Sequence, residues 1–394
     1  MNPVVAHILA SLQPRGWLRF DQFMALALYC PGSGYYEQNP DNPGRRGDYY
    51  TSVSVGPLFA ELLAFQLADW LQTLAARTGP DTTLLCVEAA AHDGRLARQI
   101  LEWFAQHRPQ LARRLRYLIL EPSPRRRAWQ QATLGPWAEQ VDWPGTPTDP
   151  SHPNAPEWFP LPPRSVTGVI FANEFLDALP VRRLRWNARA GHWSEWGVTW
   201  QKGRFSWTVI PDPPEAVRER ADLLRRFGIE PPPELLNLLP DGFTLDLSPA
   251  ALAWWEQAAQ SLVEGWLLTF DYGLSAEECL HPARATGTLR AYYRHHLAPD
   301  PLERPGEQDL TAHVAFTALE RAGRAAGLTT VLRQPQGRFL SAIATRWAEQ
   351  NQGHPGWDAA RLRQFHTLTH PDHLGHALQA FVQHRCPSLN LSPD

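Results

Sequence analysis

The feature that most constrains this chain is a set of short apolar runs, each ending on a polar residue. Residues 83–87 run into Glu88, 115–120 into Glu121, 166–172 into Asn173 and 266–270 into Asp271. Helical patterns follow the first two, over 96–106 and 125–134, and Ser123 and Pro124 supply an N-cap and a first-turn proline for the second. Ahead of them, Leu58, Leu62, Phe65, Leu67, Trp70 and Leu74 recur at helical spacing. Fully apolar strands alternating with helices imply an α/β fold, a mostly parallel sheet covered on both faces. In such sheets ligands bind at the carboxyl ends of the strands. Glu88, Glu121, Asn173 and Asp271 all fall there, and acidic ends on consecutive strands suit a ribose-binding sheet.

Composition excludes several classes. The 394 residues are 43% hydrophobic with a net charge of −3, which rules out a disordered chain and a strongly basic nucleic-acid binder. Lys202 is the lone lysine. The 4 cysteines form no CxxC pair and are too sparse for a disulfide scaffold, so a reducing compartment is expected. No apolar run is long enough to span a bilayer, and the start lacks a basic stretch followed by a long apolar core. A cytoplasmic protein without membrane insertion is the expectation.

The first strand-to-helix turn reads Val87-Glu88-Ala89-Ala90-Ala91-His92-Asp93-Gly94. A dinucleotide fingerprint wants three glycines here; only Gly94 is present, with Ala90 and His92 where the others would stand. Asp93 would repel a pyrophosphate. Glu121 offers a carboxylate to both hydroxyls of a ribose. S-adenosyl-L-methionine carries no phosphate and needs acids for its ribose and ammonium, so it fits this edge better than NAD or ATP. After the third strand comes Asn173-Glu174-Phe175-Leu176-Asp177-Ala178-Leu179-Pro180. Asn173 and Glu174 could orient the N–H groups of a nitrogen nucleophile, with Asp177 as a second acceptor or a first-turn acid; paired carboxylates match a guanidinium fork. His313 reads as a cap, a packing residue or a base near a helix start. His295, His296, His366, His370, His373 and His376 invite a metal reading, but Pro371 interrupts the helix and no bound metal is expected.

These segments together resemble the MidA-like methyltransferase family over about residues 3–347. The most specific is residues 173–180; others are Tyr35-Tyr36, Gly47-Asp48-Tyr49-Tyr50-Thr51-Ser52, Glu121-Pro122-Ser123-Pro124, Phe270-Asp271-Tyr272-Gly273, Pro305-Gly306, Asp309-Leu310-Thr311-Ala312-His313-Val314 and Gln336-Gly337-Arg338-Phe339-Leu340. The resemblance implies a Rossmann-like seven-stranded class I methyltransferase fold, S-adenosyl-L-methionine as donor and, in a mitochondrial member, a protein arginine as acceptor. It assigns Asn173, Glu174 and Asp177 to the acceptor. It assigns Glu88, Ala90, His92 and Gly94 to the methionine end and Glu121 to the ribose. Asp142 and Trp143 fall to the adenine edge, and Gly47, Asp48 and Thr51 to the cofactor mouth. Two departures stand out: the family's glycines are replaced by Ala90 and His92, and a Pro-Glu pair by Val53-Ser54.

The organisation expected is a helical cap over 1–78 and a Rossmann-like domain over 79–347. Within the latter, a large Trp- and Pro-rich insertion spans about 181–248, with a meander over 182–210 and a solvated basic helix over 215–227. A helical extension over 348–394 follows. Residues 328–332 and 339–344 are read as a late antiparallel strand pair. The function expected is methyl transfer to a protein arginine nitrogen, so the partner is a protein substrate and not a nucleic acid. The competing readings are a non-catalytic assembly or binding protein that kept the fold, and a small-molecule methyltransferase. Oligomeric state is not legible.

Overall fold

The computed structural model describes residues 2–38, 51–145, 158–294, 296–350 and 356–386. Gly47, Asp48 and His295 lie outside the described residues. The central sheet has seven strands, named here in chain order: β1 (Leu84–Ala89), β2 (Leu115–Leu120), β3 (Val141–Asp142), β4 (Val166–Asn173), β5 (Leu262–Asp271), β6 (Thr329–Pro335) and β7 (Gln379–Arg385). Their spatial order is β6-β7-β5-β4-β1-β2-β3. The pairs from β5 to β3 are parallel, and β7 runs antiparallel to both β5 and β6. Strands build outward from β1 in one direction and from β4 in the other. The chain therefore reverses between β1 and β4, and a crevice opens at their carboxyl ends.

β1, β2, β4 and β5 are mostly apolar because both sheet faces are covered there. The helices Pro57–Arg77, Arg95–His107 and Gln336–Gln350 pack with Cys86, Ile119, Val169 and Phe270 on one side. Pro249–Ser261 and Phe316–Ala325 pack with Val87, Leu120, Ile170 and Leu267 on the other.

Two expectations change. Residues 339–344 are helical, within Gln336–Gln350, because Phe339, Leu340, Ile343 and Ala344 line one buried helix face. A short apolar run alone does not separate these outcomes. The true partner of β6 is β7, inside the segment expected to be helical; among the described residues there, only Ala359–Thr369 is an α-helix of length. Polar residues disguise β7. Gln383 is buried but accepts from Trp255 Nε1 at 2.9 Å, and Arg385 is buried but donates to Ala259 O at 2.9 Å.

The N-terminal region holds the helices Pro3–Leu12, Phe20–Tyr29 and Tyr35–Gln38. It is stitched to the insertion: Leu18 and Arg19 pair antiparallel with Val198 and Gly197 in a five-stranded sheet. That sheet holds the Trp-rich meander, now Arg182–Asn187, His192–Gln201 and Arg204–Val209, plus Thr244–Leu247. The helix Pro214–Arg226 leaves Arg218, Arg225 and Arg226 exposed, but Arg220 is buried, paired with Glu195 and Asp212.

Candidate active site

At the reversal between β1 and β4 lies a cavity of about 490 Å³. The turn after β1 forms its floor. Ala90 and His92 both adopt left-handed backbone, at φ 51° and 47°, alongside Gly94 at 84°. The turn thus keeps a shape natural to glycine while carrying two side chains. Gly94 opens the helix Arg95–His107, and a Cβ there would lie 3.0 Å from Gln130 Cα. Gln130 is wholly buried and braces the turn: its Nε2 donates to His92 O (3.1 Å) and Glu121 Oε2 (3.3 Å), and its Oε1 accepts from Trp143 Nε1 (2.7 Å).

Glu88, near the end of β1, lines the cavity and is buried; its Oε2 accepts from the Tyr117 hydroxyl at 2.6 Å. Burial pushes its carboxyl up to about 8 against the opposing pull of that hydrogen bond, with nearby Asp93 adding to the rise.

Glu174 follows β4 with φ 49°, anchored by its N–H to Phe270 O at 2.8 Å. Its Oε1 accepts from Ser52 N (2.8 Å) and from Asn173 Nδ2 (3.2 Å). Burial outweighs these donors and pushes its carboxyl up to about 7. Asn173 Oδ1 is buried and has no hydrogen-bond partner among the described residues. Asp177 lines the same wall, and burial, then Asp271, Asp309 and Glu174, hold its carboxyl well above the usual range. Behind it, Asp271 accepts from Leu176 N and Tyr272 N, both at 2.9 Å, and burial pushes it up to about 8. Asp309 completes the group and accepts from the Tyr36 hydroxyl at 2.6 Å. Among the described residues no arginine, lysine or histidine forms a salt bridge with Glu88, Glu174, Asp177 or Asp271. Such a wall favours a cationic ligand. His313 also lines the cavity, ahead of the helix Phe316–Ala325 rather than at its start; burial, then Arg284 and Arg290, lower it to about 4.

The structure therefore gathers Thr51, Glu88, Ala90, His92, Asn173, Glu174 and Asp177 around one cavity. Gly94, Glu121, Asp142 and Trp143 do not line it. Gly94 serves helix packing. Trp143 is turned onto Gln130, and Asp142 pairs with Arg116 at the exposed sheet edge, its Oδ1 2.7 Å from Nη2. Glu121 is buried under Arg126, whose Nη2 lies 2.9 Å away. The sequence pattern does not mark Ser52, Tyr117, Arg126 or Gln130 as site residues. An aromatic in the buried strand β2 is the signal that could have found Tyr117; nothing in the local pattern marks Gln130. The His366 and His370 rings stack, with His373 edge-on to His366, and among the described residues no group of three or more His, Cys, Asp or Glu is placed to hold a metal ion.

A family model described as "Putative S-adenosyl-L-methionine-dependent methyltransferase" matches residues 62–333. The chain belongs to that family. It is 30% identical to a crystallised protein of Burkholderia thailandensis bound to S-adenosyl-homocysteine, with a TM-score of 0.77 over 97% of this chain and 92% of that one. It is 27% identical to the mitochondrial protein arginine methyltransferase of Rattus norvegicus, covering 97% of this chain and 84% of that protein. The human counterpart is 26% identical over 82% of this chain and 69% of its own length. The fold is thus the Rossmann-like methyltransferase fold, and the enzyme class is S-adenosyl-L-methionine-dependent methyltransferase.

The residues present fit that cofactor. The cavity falls in the ordinary range for small-molecule sites, about 300–1,000 Å³. Its free acceptor at Asn173 Oδ1 and the Glu88 carboxyl suit ammonium and hydroxyl donors. No helix among the described residues is long and apolar enough to cross a membrane.

Proposed function

We propose that this chain methylates a guanidinium nitrogen of a protein arginine. The observation that carries the reading is the wall of Glu174 and Asp177, two acids facing one cavity without a basic salt-bridge partner among the described residues. The names of the curated relatives support it. S-adenosyl-L-methionine, when bound, supplies an electrophilic methyl group; Glu88 and the Ala90–His92 turn would hold its amino-acid end. Glu174, ionised beside a cation, takes two guanidinium N–H groups, and Asn173 Oδ1 takes a third. Orientation of the nitrogen is the main contribution, since in-line displacement depends on alignment. Glu174 then accepts the proton that the methylated nitrogen sheds. Ser52 N–H and Asn173 Nδ2 keep that carboxylate aimed. We place the reaction in the cytoplasm, in keeping with four unpaired cysteines.

The test uses labelled cofactor, purified chain and cell extract. Wild type should label protein arginine, and Glu174→Gln should retain cofactor binding and lose roughly 10²-fold or more of turnover. Equal labelling by both proteins overturns the assignment. A specific observation favours a second reading, a chain that binds cofactor without turnover: Ala90 and His92 hold left-handed backbone and Arg126 covers Glu121. Binding without labelling of any acceptor would select it.

A further inference from the structure

Arg126 is a guanidinium buried in the wall of the cofactor cavity. It stands in the helix Pro124–Leu134, directly after β2. Its Nη2 lies 2.9 Å from Glu121 Oε1, which also accepts from Ser123 N at 2.9 Å. The remaining Glu121 oxygen accepts from Gln130 at 3.3 Å. Arg126 lines the cavity and Glu121 does not, so the guanidinium stands between the carboxylate and the space a ligand would fill.

A second acid waits beside it. Glu37, buried in the N-terminal helix Tyr35–Gln38, accepts from Ser123 Oγ at 2.9 Å with its Oε2. Its Oε1 lies 3.6 Å from Arg126 Nε, too far for a hydrogen bond, and that Nε has no hydrogen-bond partner among the described residues. The rings of Tyr29 and Trp158 lie 5.8 and 5.6 Å from the guanidinium carbon. A cation held over aromatic faces keeps part of its stabilisation through a small shift. A shift of a fraction of an ångström toward Glu37 would complete the Nε hydrogen bond, and freeing Glu121 takes a further swing of the Nη2 end off Oε1.

We propose that Arg126 competes with the cofactor's ribose for the Glu121 carboxylate, and that ligand entry transfers Arg126 from Glu121 to Glu37. The inference rests on the cofactor reading of this cavity, with Glu121 as the ribose acid. Arg126 thereby sets cofactor affinity. Arg126 here is a positioning residue, and the sign of its effect separates it from a structural pair. Removing a structural ion pair weakens binding; removing a competitor strengthens it.

The experiment is calorimetric titration of the full chain with S-adenosyl-homocysteine, which binds without reacting. Arg126→Leu should bind roughly tenfold tighter or more, the scale of one charged hydrogen bond. Glu37→Gln alone removes the receiving carboxylate and should bind more weakly than wild type. Arg126→Leu leaves two acids buried without a cation, so the double variant Arg126→Leu, Glu37→Gln and the milder Arg126→Gln are measured beside it, each with circular dichroism to establish folding. Tighter binding in any folded Arg126 variant, with weaker binding in Glu37→Gln, supports the transfer. Equal or weaker binding in every folded Arg126 variant overturns it. Methylation assays are independent of this outcome: a chain that binds S-adenosyl-homocysteine as described yet labels no arginine would overturn the acceptor assignment alone.

Discussion

Replacing Ala90 by glycine should stabilise this protein, although alanine to glycine usually does the opposite. Ala90 sits at φ 51° in the turn after β1. Left-handed backbone costs a residue with a Cβ roughly 1–2 kcal/mol. Against that relief stand the extra freedom glycine gives the unfolded chain, about 0.4–1 kcal/mol, and the loss of a half-buried methyl, at most about 0.8 kcal/mol. A net gain near 0.5 kcal/mol follows for Ala90→Gly. His92→Gly, at φ 47°, relieves a second strained centre but also removes a half-buried imidazole, so its gain should be smaller than that of Ala90→Gly. The assay is urea unfolding of wild type, both single variants and the double, read as a rise in midpoint at constant slope. The same proteins titrated with S-adenosyl-homocysteine should bind it at least as tightly, because a bare backbone lets the ligand approach. A fall in midpoint for Ala90→Gly would refute the reasoning: the turn would then be held by contacts of the methyl group that outweigh its strain.

Two further outcomes concern pH. Glu88 stays protonated in the folded chain up to about 8, whereas unfolded it ionises near its ordinary 4.5, so the native state binds the extra proton between those values. Its burial is therefore tolerated below the unfolded value and becomes destabilising as pH rises through about 8; Glu88→Gln should flatten the decline and raise stability at pH 9 by a few kcal/mol, read by thermal melts across pH, with no change meaning the carboxyl is already solvated. His313 has the opposite sign: lowered to about 4 from 6.5, it is neutral when folded while the unfolded chain takes a proton, so its stability is present above 6.5 and is lost as pH falls toward 4. His313→Gln should remove about 1–3 kcal/mol of that acid sensitivity, and identical acid melts for both proteins would contradict its burial as a neutral ring.

The parallel core was legible because its strands are uniformly apolar. β1, β2, β4 and β5 end on or within two residues of the polar positions read from the runs, since a strand buried on both faces shows its limits in composition alone. β7 was hidden for the complementary reason. Gln383 accepts from Trp255 and Arg385 donates to Ala259 O, partners more than a hundred residues away that no local window contains. The acceptor side of the site was legible too: Asn173, Glu174 and Asp177 are adjacent in sequence, and one strand end delivers them together. The β2 side was not. Glu121 reads as an open carboxylate, and only the folded chain shows Arg126 lying across it. The motif locates the acid; whether that acid faces a ligand depends on a side chain one helical turn further on.

Backbone strain marks the same place independently. Among the described residues, six without glycine's freedom have positive φ: Ala90, His92, Arg164, Glu174, Lys202 and Arg294. Three of them, Ala90, His92 and Glu174, line the cavity, from the ends of two different strands. Strain of about 1–3 kcal/mol at each persists only where surrounding contacts fix it. For Glu174 those contacts are visible: its N–H is held by Phe270 O on β5 and its carboxylate by Ser52 N from the N-terminal region. An extended residue after β4 would send alternate side chains to opposite faces of the sheet. The left-handed step instead turns the carboxylate back over the crevice, beside Asn173 and on the same wall as Asp177. Two acids close in sequence are thereby brought to one surface, which the regular strand geometry would have separated. The conformation that costs the chain stability is the one that makes the acidic wall.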